Sequence, residues 1–200
     1  MKELRSFVGL VNYFRDHIQN HSIITQPLQV MITEGAKTRM VRMPGKKPME
    51  HIIWTPEAEA SFAEIKLKIN ACPKLFLKDG KLPIFLHTDV SDYAIGAYLF
   101  QVKEGKEIPI RFMSKTLAGA QIRWSTIEKE CFAMYYSLKK FADLLLGVPF
   151  VLRTDHRNLL YLNEAGSAKV TRWKIEIQNY NFRIEHIQAL RISLQTCSQG

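Results

Sequence analysis

Apolar residues recur in two rhythms along this 200-residue chain, and the rhythm changes near residue 80. Leu4, Phe7, Val8, Val11 and Phe14 fall at helical spacing, and Ile24, Leu28 and Met31 resume it after Asn20-His21-Ser22. Pro27 suits the first turn of a second, short helix. A further helix opens at Trp54-Thr55-Pro56-Glu57. There Thr55 can cap, Pro56 fits the first helical position, and Glu57 and Glu59 favour the positive end of the helix. Phe62, Ile65 and Ile69 form its apolar stripe, and Pro73 stops it. Strand signals then fill 83–89, 95–102 and 108–113, with Gly105 in the turn of a hairpin between the last two. Ser125-Thr126-Ile127-Glu128 is a capping box, after which Ile127, Cys131, Met134, Tyr135, Leu138 and Phe141 predict a helix with one core-facing stripe. Gly147-Val148-Pro149 ends that helix and launches a strand over 150–155. A short helix over 158–162, another over 169–178 and a last strand over 181–187 complete the pattern.

From residue 73 the order is strand, strand, strand, helix, strand, helices, strand. A hairpin followed by a strand–helix–strand unit makes an α/β fold, a mixed five-stranded sheet with flanking helices, preceded here by a small helical segment. Leu86-His87-Thr88-Asp89 and Leu152-Arg153-Thr154-Asp155 close two runs of core character, so these strands are expected to be central and parallel. Ligand sites in such sheets lie beyond the carboxyl ends of the strands. Both Thr-Asp pairs fall there.

Composition narrows the function. The chain is 46% hydrophobic and 24% charged, ordinary for a globular domain, and no apolar run approaches a membrane span. Its start lacks a signal peptide's apolar core, so an intracellular location, cytoplasm or nucleus, is expected, with no membrane partner. Cys72, Cys131 and Cys197 are odd in number and scattered, which argues for reduced thiols and against a disulfide framework or zinc ribbon. The net charge of +9 suits a polyanion partner, although a solvated basic surface accounts for charge alone equally well. Between residues 33 and 49, Lys37, Arg39, Arg42, Lys46 and Lys47 alternate with Gly35, Pro44, Gly45 and Pro48, the composition of a basic linker.

Asp89 and Asp155 at two strand tips, with Glu130 on the helix between them, are the candidate catalytic and metal-ligating residues. Hard carboxylate oxygens so placed can hold Mg²⁺ (or Mn²⁺) against a phosphodiester. Glu128 is better explained by the capping box. His17 and His21 have helical ligand spacing, but no accompanying motif supports a zinc site, so they read as structural. Trp54, Trp124 and Trp173 read as core or groove-wall residues.

The chain resembles the Pol polyprotein of gypsy-type (Ty3-like) long-terminal-repeat retrotransposons, from the end of the reverse transcriptase through its ribonuclease H domain. The carrying motifs are the segment from Glu3 to Arg15, Trp54-Thr55-Pro56, the segment from Thr88 to Ala97, the segment from Ser125 to Cys131, and Thr154-Asp155-His156-Arg157-Asn158-Leu159. The resemblance implies a ribonuclease-H-like fold. It divides the chain into a thumb and connection remnant at 1–34, a basic linker at 35–53, a connecting helix at 54–74, the ribonuclease-H-like domain at 75–188 and an aberrant terminus at 189–200. It also implies metal-dependent endonucleolytic cleavage of the RNA strand of RNA–DNA hybrids, with two ions held by Asp89, Glu130 and Asp155. One ion would activate the attacking water and the other neutralise the leaving 3′ oxygen. Ser91, His156, Arg157 and Asn158 become candidate nucleic-acid contacts, His156 equally readable as a helix cap.

Two departures from the family pattern change the expectation. The polymerase palm with its Tyr-x-Asp-Asp signature lies upstream in the family, as the fingers do, and integrase is a further ancestral partner. These 200 residues are therefore not expected to polymerise DNA by themselves. The family closes its ribonuclease H domain with a phrase like Glu-Asn-x-Val-Ala-Asp-x-Leu-Ser-Arg, whose Asp is a fourth metal-site carboxylate. Residues 189–200 contain no acidic residue. Yet synonymous codons exist for that stretch which, read two nucleotides later, spell Thr-Glu-Asn-Ile-Val-Ala-Asp-Met-Phe-Ser-Arg. A frameshift near Gln188 is the corresponding expectation, and with it impaired cleavage. The alternative is a catalytically dead or co-opted domain that binds nucleic acid or protein without cutting.

Overall fold

Eleven helices and strands are set out in the structure, a computed structural model. It describes residues 1–40, 54–155 and 167–187, with 35–40 by backbone alone. They run α1 (Lys2–Tyr13), α2 (His21–Met40), α3 (Pro56–Asn70), β1 (Ile84–Val90), β2 (Ala94–Lys103), β3 (Lys106–Thr116), α4 (Thr126–Lys140), α5 (Ala142–Leu145), β4 (Phe150–Thr154), α6 (Ala168–Ile177) and β5 (Phe182–His186). Single 3₁₀ turns lie at Arg15–His17 and Gly119–Arg123. The helix expected over 158–162 and the terminus 189–200 lie outside the described residues. No helix among the described residues is long and apolar enough to cross a membrane.

The sheet is five-stranded in the order β3-β2-β1-β4-β5. β1–β2 and β2–β3 pair antiparallel, while β1–β4 and β4–β5 pair parallel. The two Thr-Asp strands are thus neighbours at the centre, as their apolar runs require. Glu104 and Gly105 both have positive φ, 51° and 76°, which is the two-residue type I′ turn whose twist matches a hairpin. Pro109 is tolerated because β3 is an edge strand, and the register shifts at Leu99/Phe100 opposite it. Its carbonyl accepts the Phe76 N–H at 2.9 Å.

Three apolar clusters follow. On one face of the sheet Ile84, Leu86, Leu99 and Leu152 meet Met134, Leu138 and Phe141 of α4 and Val170, Trp173 and Ile177 of α6. On the other face Tyr98 stacks on Phe100 (4.6 Å) and Phe112 (4.7 Å), and Phe85 stacks on Phe100 (5.3 Å). The third cluster joins Leu4, Val8 and Val11 of α1, Ile24, Leu28 and Met31 of α2, and Ala58 and Ile65 of α3. Trp173 packs among Trp124, Phe132 and Tyr135, and Trp54 sets its edge against Phe62, so all three tryptophans engage protein rings.

Three expectations are corrected. Pro27 lies inside α2 instead of opening a short helix, because Asn20 at φ 57° makes the break and the helix starts at His21. The missing proline N–H frees the Ile23 carbonyl, a cost offset by burial of Ile24 and Leu28. α2 also runs on to Met40, past the expected start of the linker. Ala36, Lys37, Arg39 and Met40 are good helix formers and outweigh the roughly 1 kcal/mol disfavour of Gly35. Ile127 is 49% exposed rather than core-facing, since the first turn of α4 with Ser125 and Thr126 stands in solvent; Lys129 and Glu130 are buried in its place.

Candidate functional site

β1 and β4 bring the two strand-tip carboxylates together. Their register pairs Leu86 with Leu152 and His87 with Arg153, and continued by two residues it sets Asp89 level with Asp155. The preceding threonines, Thr88 and Thr154, are fully buried and seat the tips in the sheet. Side chains alternate along a strand, so Leu86 and Thr88 point toward α4 while His87 and Asp89 point the other way. On that side they line a cleft of ≈ 770 Å³ with Asp155, Gln19, Asn20, Pro27 and Ile187, and with Glu57, Ser61, Glu64 and Lys68 of α3. The helical unit is fixed there by the Ser22 N–H, which donates to Ser114 Oγ at 3.0 Å. Asn20 Oδ1 lies 3.2 Å from where a Cβ on Gly96 would stand, so glycine permits the close approach.

The cleft is electrostatically tense. Asp89 is exposed at the strand tip, yet desolvation by the cleft walls raises its carboxyl above the ordinary value; the His87 ring pulls it back, and the Asp155 charge pushes it further up. Burial lowers the His87 ring, against the pull of Asp89 and Asp155, and Arg153 lowers it too. The Asp155 backbone carbonyl is 2.9 Å from His186 Nε2, and the Ile187 N–H donates to the Thr154 carbonyl at 3.0 Å, which fixes β4's end against β5.

Asp89's raised value makes a stability prediction. A folded-state pKa above the unfolded one means the native chain holds that proton more tightly. Stability therefore falls as pH rises through the window above 3.8 and stays reduced beyond it. Asp89→Asn should raise the metal-free Tm slightly at pH 7, with the gain vanishing below about pH 4, where wild type is protonated as well. A lower Tm at pH 7 would show that the carboxylate is satisfied, not strained.

Glu130 is 2% exposed in the second turn of α4, on the helix packed against the Leu86 face of the sheet, and does not line the cleft. The structure brings Asp89 and Asp155 together at the mouth of the cleft. Among the described residues no three His, Cys, Asp or Glu side chains gather closely enough to hold a metal ion. Ser91 is exposed, but its hydroxyl closes the turn between β1 and β2, accepting the Ala94 N–H at 3.0 Å. His156, Arg157 and Asn158 lie outside the described residues. His21 is buried, with its ring pKa lowered chiefly by that burial, in keeping with a structural role.

Sequence reading passed over Gln101 and Lys129, both buried. Gln101 satisfies the 79–82 loop: it accepts the Asp79 N–H at 2.9 Å and donates to the carbonyls of Asp79 (2.7 Å) and Leu82 (2.8 Å). A polar residue inside an apolar strand run was the available signal. As predicted, Ser125 and Glu128 cap α4 reciprocally, at 3.3 and 3.0 Å.

Comparison with known proteins agrees with this architecture. Residues 79–180 match the family described as the RNase H-like domain found in reverse transcriptase. The chain is 32% identical over 189 residues to the retrovirus-related Pol polyprotein from transposon 297 of Drosophila melanogaster, covering 94% of this chain and 16% of that protein. It is also 32% identical over 192 residues to the transposon Tf2-3 polyprotein of Schizosaccharomyces pombe, covering 92% and 13%. The chain therefore spans about a sixth or less of the length of these curated relatives. Among solved structures, the foamy viral protease-reverse transcriptase dRH in complex with double-stranded DNA superposes with a TM-score of 0.72 at 22% identity, over 95% of this chain and 32% of that one. The foamy viral protease-reverse transcriptase in complex with RNA/DNA hybrid gives 0.67 at 24% identity, over 94% and 25%. At these identities the likeness is one of fold.

Proposed function

Since this chain belongs to the RNase H-like domains found in reverse transcriptases, we propose that it acts on RNA–DNA hybrids, hydrolysing the RNA strand slowly with the help of Mg²⁺ or Mn²⁺. The observation that carries this reading is the side-by-side placement of Asp89 and Asp155 at the carboxyl ends of two parallel central strands. The donor set fits a hard divalent cation, which is commonly held by one or two carboxylates together with substrate phosphate. When bound, the metal supplies Lewis-acid polarisation of the phosphodiester and a more acidic water.

The chain's own residues do the rest. Asp89 and Asp155 hold the ion, and the family motif assigns Glu130 as the further carboxylate. The basic chain draws the hybrid in through its phosphates, and such contacts confer little sequence preference. Slow turnover is expected because 189–200 carries no carboxylate to complete the family's set.

A second reading, binding without cutting, is favoured by one observation: among the described residues no three-ligand cluster is assembled. A hybrid labelled on each strand separates the two. Hydrolysis predicts cuts in the RNA strand alone, in Mg²⁺ or Mn²⁺, abolished by Asp155→Asn. Salt-dependent binding with both strands intact supports the second reading, and cleavage that survives Asp155→Asn does not come from this cleft.

A further inference from the structure

We propose that Lys129 is a positioning residue, tying the first turns of α4 to the β1–β2 turn that follows Asp89, an inference that rests on the reading of Asp89 as a metal-site carboxylate. Lys129 is 7% exposed, an uncommon place for a lysine, and it precedes Glu130 on the helix. Among the described residues its ammonium meets Asp92 only. It donates to the Asp92 carbonyl at 3.2 Å and lies 3.5 Å from Asp92 Oδ1, on a side chain 88% exposed.

A carboxylate so open to water contributes little to a buried cation, so charge pairing does not account for this geometry. The directed hydrogen bond to a main-chain carbonyl does. It fixes the backbone three residues beyond Asp89 in a turn already closed by the Ser91 N–H donating to the Ala94 carbonyl at 2.8 Å. The far end of that turn is held by Tyr93, whose carbonyl accepts the Leu117 N–H at 2.7 Å. Lys129 supplies the remaining tie, from the helix that carries Glu130. Without it the turn is attached to the sheet alone, and the backbone just beyond Asp89 loses its direct link to α4. Residues that orient a ligand from behind commonly change metal affinity 10–100-fold when removed.

The test uses the full chain with Lys129→Met, which keeps the stem and removes the ammonium, and Lys129→Arg, which keeps a donor. Loss of a buried charge to an apolar group of similar shape is often tolerated, so folding should survive. Two readouts are taken: hydrogen exchange at the Ser91 and Ala94 amides, and the Mn²⁺ concentration giving half the maximal rise in Tm. K129M should speed exchange at those two amides several-fold while amides of central β2 stay unchanged, and should raise the Mn²⁺ half-point about 10-fold. K129R should recover part of both. Unchanged exchange overturns the proposal, as does faster exchange throughout the sheet with a large fall in metal-free Tm, which is the mark of a core residue. If wild type shows no Mn²⁺ response, the metal reading of Asp89 fails, while the exchange result still decides whether Lys129 anchors the turn.

Discussion

Truncating Phe141 to alanine should lower the unfolding free energy by about 3–5 kcal/mol, the usual cost of emptying a fully enclosed aromatic site. Phe141 has no solvent exposure and ends α4 at the point where α5 begins, so its ring closes the α4-side core at a corner with no slack. Its neighbours Leu138 and Leu145 are also fully buried and cannot collapse into the void without moving a helix. Domains typically have only about 5–15 kcal/mol in total. The urea midpoint should therefore fall sharply with its slope unchanged. A loss below about 1 kcal/mol would mean the corner repacks.

The second large effect concerns the terminus. Replacing 189–200 with Thr-Glu-Asn-Ile-Val-Ala-Asp-Met-Phe-Ser-Arg should raise hybrid cleavage about 100-fold, the scale on which one properly aimed electrostatic group acts in an active site. The same phrase with its Asp changed to Asn should not. Equal slow rates from all three chains would refute the idea that the terminus limits activity. Coding DNA that does not spell the phrase in the shifted frame would refute the frameshift itself.

Much of the scaffold was legible because local chemistry and global packing agree. The β-branched runs ending in Thr-Asp marked central parallel strands, Gly105 marked a tight hairpin, and Ser125 with Glu128 marked the start of α4. What was not legible depends on distant elements. Periodicity gives the apolar face of a helix but not how far its partner extends, so it puts Ile127 on the core stripe and gives no sign that Lys129 is buried. It also says which side chains alternate without saying which face a helix covers. The alternation of β1 places Asp89 on the side of the cleft with α2 and α3, while α4 packs on the Leu86 side. The packing of that helical unit against the carboxyl end of the sheet, through Ser22 and Ser114 and through Asn20 at Gly96, left no local signal at all.

The central claim is that Asp89 and Asp155 together form a divalent-cation site, and the direct measurement is Mn²⁺ binding by the chain, read by electron paramagnetic resonance. The account predicts saturable binding, competed by Mg²⁺ and lost in both Asp89→Asn and Asp155→Asn, with each variant still folded. Absent binding, or binding that either variant retains, would contradict it.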